Sequence, residues 1–169
     1  GCTGWAYDDV LPYFRRSESN ERGEDAYHGA GGPLFVSDQV SPNPTSEAFV
    51  ESAAALQLRT NDDFNGERQE GFGLYQTTQR KGERWSAARG YVEPIRHQGN
   101  FAVRTNTLVD KLEIEGGRVT GVRVRRGGRS EMLYARRGVI LSAGAFNSPQ
   151  ILMLSGIGPG EHLKEHGID

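Results

Sequence analysis

Val139-Ile140-Leu141-Ser142-Ala143-Gly144-Ala145-Phe146-Asn147-Ser148-Pro149-Gln150-Ile151-Leu152-Met153-Leu154-Ser155-Gly156-Ile157-Gly158 passes from one apolar run, through small residues, into a second apolar run that stops at glycine. A strand that is apolar on both faces belongs in the middle of a covered, usually parallel sheet, and Val139 to Leu141 is expected to be one. Ser148-Pro149 opens a helix whose Ile151, Leu152, Met153 and Leu154 leave it almost no polar side. That helix is expected to be buried, and Gly156 to end it. The small residues between the two elements let something come close to the main chain. Two readings fit: close packing of strand on helix, or a cofactor whose polar groups meet free amides at the helix start.

Working outward, Pro159 to His166 supplies one more short helix. Upstream, Val119, Val122 and Val124 alternate between the Gly116-Gly117 and Gly127-Gly128 turns, and Glu131 to Ala135 returns antiparallel, which predicts a β-meander. Phe101, Val103 and Thr105 alternate as a strand entered through Gly99-Asn100. Phe72 to Gln79 reads as a strand, Lys81-Gly82-Glu83 as its turn, and Ser86 as the cap of a helix reaching Ile95, weakened at its end by Pro94. Asn43-Pro44 starts a helix to about Leu58 with Phe49, Ala53 and Leu56 as its buried stripe. The polar stretch from Arg59 to Gly71 is expected to be an exposed loop. The glycines at 29, 31 and 32 lead to a short strand at Leu34 to Val36. Tyr7, Val10, Leu11 and Phe14 recur at helical spacing, with Asp8 and Asp9 at one end, Arg15 and Arg16 at the other, and Pro12 expected to divide the helix into two short turns.

Composition narrows the classes. Glycine is 23 of 169 residues, about twice its usual share, whereas Leu, Ile, Val and Phe make up only roughly a fifth. This implies a loop-rich α/β protein with a thin core. The net charge of −2 gives no overall field toward nucleic acid or acidic lipid, and the lone Cys2 can form neither an internal disulfide nor a multi-thiolate metal site. No apolar run approaches the length of a membrane span. The chain starts without methionine, so it is expected to be an internal fragment.

Three further motifs have plain readings. His162-Leu163-Lys164-Glu165-His166 spells an inverted zinc-peptidase pattern, but the helix is short and only Asp169 remains as a third ligand, so no metal is expected. Arg118 to Arg137 holds seven arginines against Glu131 alone, yet Tyr134 is its only aromatic, which makes the arginines the solvent face of the meander and excludes nucleic acid. His28 and His97 are expected at the surface.

The opening segment closely resembles the second signature of the glucose-methanol-choline oxidoreductases, flavin enzymes that oxidise alcohols. The resemblance extends to Gly4-Trp5 through Glu18, to Gln76-x-Thr78, to Gly82-x-Arg84-x-Ser86-Ala87 and Tyr91, to Asn100-Phe101-x-Val103-x-Thr105, and to Ile140 through Gly144, with a choline-dehydrogenase-like flavour. Residues 19 to 70 match loosely. The resemblance implies FAD as cofactor, hydride transfer from the carbinol carbon to flavin N5, and a small-molecule alcohol as substrate. It implies cofactor contacts at Val109, through its backbone at the adenine end, and at Gly144 and Ala145. Tyr75 and Gln76 would lie on the substrate side. Read from periodicity alone, Val109 is a strand residue beside Leu108 and Leu112, and the strand of Tyr75 and Gln76 needs no ligand. The family's phosphate-binding glycine motif and its catalytic histidine have no counterpart here, so no catalytic residue is expected in this chain, and the missing N- and C-terminal parts of the same enzyme are its expected partners.

The expected fold is a mixed α/β segment of a Rossmann-like FAD-binding domain with a β-meander, plus part of a substrate-binding domain. Residues 1–70 would be a helical and loop segment serving both domains, 71–98 the start of the substrate-domain sheet and helix, and 99–169 an FAD-domain segment with the meander at about 116–135. The isolated piece is expected to be inactive and the intact enzyme cytoplasmic, free or peripheral at a membrane. A non-redox nucleotide-binding or interaction module with a Rossmann-like core is the alternative.

Overall fold

The computed structural model describes residues 2–168, which mix helices and strands in two compact units, Gly1–Ala102 and Val103–Asp169. In the first unit, α1 (Tyr7–Ser17) begins where the Ala6 N–H donates to Asp9 Oδ2 at 3.1 Å and ends at Arg15 and Arg16, in line with the helix dipole. Pro12 does not divide it. The carbonyl that Pro12 leaves unpaired belongs to exposed Asp8, so water can satisfy it and the helix runs through.

After α1, the strand β1 (Glu18–Asn20) pairs in parallel with β2 (Leu34–Val36). The loop between them closes tightly on α1. A Cβ on Gly29 would lie 1.8 Å from the Arg15 carbonyl oxygen, so only glycine fits there. The next helix, α2 (Pro44–Ala55), is capped by Asn43, whose Oδ1 accepts from Thr45 N–H at 2.9 Å. It ends about one turn before Leu58 because Gln57 takes a left-handed conformation. Of the expected stripe only Ala53 is buried. Leu56 is exposed, and Phe49 rests its ring against Phe72 at 5.7 Å.

Phe72 to Gln79 is not a continuous strand. It is extended but makes only single bridges, Phe72 with Thr60 and Thr77 with Ser37, before β3 (Gln79–Arg80) turns through Lys81 and Gly82 into β4 (Glu83–Arg84). With no neighbour running alongside, no ladder can form. Ser86 accepts from Arg89 N–H at 3.4 Å and opens a wide helical turn, Ala88–Val92, that tightens over Glu93–Ile95 at Pro94. Trp85 ties this region to the glycine loop through Nε1–H to the Pro33 carbonyl at 2.8 Å.

In the second unit, β5 (Leu108–Glu115), β6 (Arg118–Arg126) and β7 (Arg129–Tyr134) form an antiparallel meander. Both hairpins turn on Gly-Gly pairs with positive φ, the geometry that matches strand twist. The valines of β6 face the core, and Val124 is only 2% exposed. Its arginines face outward and pair along the sheet, Arg123 with Glu113 at 2.7 Å and Arg125 with Asp110 at 2.8 Å. The expected strand at Phe101 to Thr105 does not form; pairing starts at Leu108.

The helix α3 (Gly144–Leu154) packs on β5, with Leu112 N–H donating to Ser155 Oγ at 2.8 Å. Ile151 and Leu112 are buried, as is Leu163 of α4 (Gly160–Glu165). Two expectations fail here. Val139 to Leu141 forms no strand, and Ile140 is 93% exposed. The helix α3 is covered on one side only: Ile151 is buried, whereas Phe146 is 90% and Leu154 45% exposed. The reason is the same for both. A doubly covered strand and an all-apolar helix need layers on two sides, and among the described residues it is β5 that packs on α3, while no strand pairs with Val139 to Leu141.

Candidate functional site

The bend between Leu141 and α3 keeps its small residues for two reasons. Gly144 has φ +89°, which a side chain would strain, and a Cβ there would meet nothing within 4 Å. The glycine serves the turn and leaves open space in front of it. Ala143 N–H donates to Ser148 Oγ at 2.9 Å, which fixes the bend, but no side chain caps α3. The first amides of the helix, those of Gly144 and Ala145 included, therefore point outward without an intrahelical partner. Ile140, just before the bend, and Phe146, in the first turn of α3, are both exposed. Val109 lies half-buried on β5, the strand against which α3 packs, opposite Val124 and next to a bulge. Thus Val109, Gly144 and Ala145 stand on two elements that pack together.

Tyr75 and Gln76 belong to the first unit. Tyr75 is exposed and stacks its ring on Phe64 at 4.4 Å. Gln76 and Asn20 form a reciprocal amide pair: Asn20 Nδ2 donates to Gln76 Oε1 at 2.9 Å and Gln76 Nε2 to Asn20 Oδ1 at 3.3 Å. The second Nε2 hydrogen goes to Asp38 Oδ1 at 3.0 Å. Asp38 also takes the Arg22 guanidinium at 2.7 Å, and that hydrogen bond, helped by Gln76 and opposed by partial burial, holds its carboxyl below the usual range.

His28 overturns the expectation of a surface histidine. It is 6% exposed, with Nδ1 3.0 Å from Glu18 Oε2 and Nε2 3.0 Å from Asp63 Oδ2. Burial alone would lower its pKa, but the hydrogen bonds to Asp63 and Glu18, with their charges, outweigh burial and raise it. Nearby Asp25 accepts from the Tyr27 and His28 amides at 2.7 Å, and the Tyr27 bond above all keeps its carboxyl low. Sequence reading missed this cluster because Asp63 lies 35 positions from His28 and no local pattern connects them.

Comparison with known proteins decides the class. The GMC oxidoreductase family profile matches residues 1–168. The chain belongs to the GMC oxidoreductase family. It is 48% identical over 169 residues to an oxygen-dependent choline dehydrogenase of Rhizobium etli and 50% identical to one of Sinorhizobium fredii, in each case over 100% of this chain and 31% of the relative. Among solved structures, pyridoxine 4-oxidase from Mesorbium loti superposes with a TM-score of 0.85 at 34% identity, over 99% of this chain and 33% of the other. An FAD-dependent oxidoreductase from Chaetomium thermophilum superposes with a TM-score of 0.84 at 27% identity, over 100% and 32%. The chain thus spans about a third of the length of these relatives.

Family membership disfavours a non-redox nucleotide module. His162 and His166 bring their rings to 4.7 Å, edge to face, with His166 just past the end of α4. Among the described residues no helix is long and apolar enough to cross a membrane.

Proposed function

We propose that the full-length protein is an FAD-dependent oxidoreductase of small-molecule alcohols, choline-dehydrogenase-like, to which this chain contributes part of the cofactor and substrate walls. The observation that carries the reading is the match of the whole chain, at about half identity, to oxygen-dependent choline dehydrogenases. The residues present fit a flavin dinucleotide: an uncapped helix start, a glycine at φ +89° with free space ahead of it, and two exposed apolar side chains, Ile140 and Phe146, able to flank a ring system.

When bound, FAD supplies the acceptor for the hydride that leaves the carbinol carbon. This chain's own residues do quieter work. Gly144 and Ala145 offer main-chain amides to polar atoms of the cofactor, and Val109 offers its backbone at the adenine end. Tyr75 and Gln76 serve the substrate side. The Gln76 amide is held in one orientation by Asn20 and Asp38, which leaves the Tyr75 hydroxyl as the freer of the two groups. Residues 1–70 then serve both domains, 71–98 begin the substrate sheet, and 99–169 belong to the FAD domain. The residue that accepts the hydroxyl proton lies outside this chain, and the remaining two thirds of the enzyme are its partner.

Choline, pyridoxine and a series of simple primary alcohols, offered anaerobically to the purified full-length protein, test the reading. At least one should bleach the visible flavin band. A flavin-loaded protein bleached by none of them, yet reducible by dithionite, would contradict the substrate class.

A further inference from the structure

Asn20 and Gln76 meet amide to amide across 56 positions of sequence, and the direction in which each points follows from its neighbours. Asn20, only 5% exposed, is fixed first. The Arg22 main-chain N–H can only donate, so the Asn20 atom 3.0 Å from it is the carbonyl oxygen Oδ1. Nδ2 of Asn20 then faces Gln76 at 2.9 Å, where only Oε1 of Gln76 can accept. The far end of Gln76 agrees: the Asp38 carboxylate, paired with Arg22 at 2.7 Å, only accepts and so holds Nε2 at 3.0 Å. A turned Gln76 would set donor against donor at Asn20 and acceptor against acceptor at Asp38. His28 does not enter the result. Nδ2 of Asn20 also lies 3.1 Å from Glu18 Oε1 and 3.2 Å from His28 Nδ1, and whichever of them takes a hydrogen, the side that faces Gln76 still presents the amide nitrogen.

The orientation leaves Gln76 one free function. Its two amide hydrogens go to Asn20 Oδ1 at 3.3 Å and Asp38 Oδ1 at 3.0 Å. Among the described residues its oxygen bonds Asn20 alone, which leaves one lone pair unused. Half-buried Gln76 therefore meets any further molecule as an acceptor, through its carbonyl oxygen. With Asn20 and Arg22 it borders a polar cavity of about 200 Å3, and the Arg22 guanidinium there is already tied to Asp38 and, at 2.7 Å, to the Asp62 carbonyl.

We propose that Asn20 is a positioning residue that, with Asp38, makes Gln76 a selectivity residue: its free oxygen favours alcohols whose far end is positively polarised, over those whose far end is apolar or anionic. The proposal rests on the reading of Gln76 as a substrate-side residue. A carbonyl dipole attracts a cation or an N–H or O–H donor only when its oxygen leads, so the sign of the preference is set by the amide's orientation. Turned round, the same side chain would favour an acceptor.

The full-length, flavin-loaded protein tests this with choline, with the neutral isostere in which carbon replaces its ammonium nitrogen, and with tetramethylammonium, which has no hydroxyl to oxidise. Gln76→Leu should lower the ratio of kcat/KM for choline over the isostere by on the order of tenfold, the worth of one contact to a charged group. Tetramethylammonium binding, followed by calorimetry, should weaken by the same factor. Asn20→Asp keeps an acceptor for the Arg22 amide but sets an oxygen against Oε1, and should cause a similar loss. Asn20→Ser, which adds no buried charge, should cause a smaller loss of about threefold, because Asp38 still holds Nε2. Combined with Gln76→Leu, Asn20→Ser should add nothing, since Asn20 acts through the amide. An unchanged ratio and affinity in Gln76→Leu would overturn the proposal together with the substrate-side reading of Gln76, as would a wild type that binds no tetramethylammonium. A loss in Gln76→Leu that neither Asn20 variant reproduces, or that grows further in the double variant, would overturn the positioning role and leave that reading standing.

Discussion

The glycine loop of the first unit and the bend before α3 in the second are both rich in small residues, and the chain treats them in opposite ways. The loop is filled from within: Gly29 meets the Arg15 carbonyl, Gly32 meets Ser17, and His28 finds two carboxylates. The bend is left open, with free space beyond Gly144 and with Ile140 and Phe146 standing in solvent. Small residues alone therefore do not mark a binding site. Open space alone does not mark one either, since the hairpin glycines Gly116 and Gly128 have it too; the bend before α3 differs in joining open space to an uncapped helix start and to the exposed Ile140 and Phe146.

Substitutions in the full-length protein can break or sharpen this contrast. The largest effect is expected at Gly29→Ala, whose new methyl would collide with backbone that cannot move independently. Loss of several kcal/mol, on the order of a severe core defect, should appear as insoluble protein or a collapsed denaturation midpoint. Next comes Val124→Ala, which empties a filled position in the meander and should cost about 2 kcal/mol by chemical denaturation, with the flavin content of the folded fraction unchanged.

A smaller effect is expected from pH. The folded pKa of His28 is raised above the ordinary 6.5, so its contribution to stability is fully present below that value and is lost as pH rises through the folded pKa. Asp25 and Asp38 act in the other direction, since their lowered carboxyls stabilise above the ordinary 3.8 and that contribution fades as pH falls. Denaturation midpoints should therefore decline on the alkaline side in wild type and decline less in His28→Gln.

The meander was readable because its signals are local: alternating valines between two Gly-Gly pairs specify strands, turns and the outward face of the arginines without help from distant residues. The Asn43 cap and the Leu34 to Val36 strand were readable for the same reason. Val139 to Leu141 was not, because an apolar run becomes a buried strand only when neighbours supply a ladder, and the described residues supply none. Pro12 misled because the cost of a helical proline depends on whether the freed carbonyl reaches water. His28 was invisible because its neighbours in sequence are glycine and tyrosine, whereas the groups that set its charge come from β1 and from a loop far along the chain.

The claim that the open bend is the flavin's seat is tested most directly by Gly144→Val in the full-length protein, comparing flavin absorbance per polypeptide with the denaturation midpoint of the apoprotein. The account predicts that flavin content falls by on the order of tenfold while the apoprotein midpoint shifts only by the ~1–2 kcal/mol that a side chain at positive φ costs. Full flavin occupancy in the folded variant would contradict it.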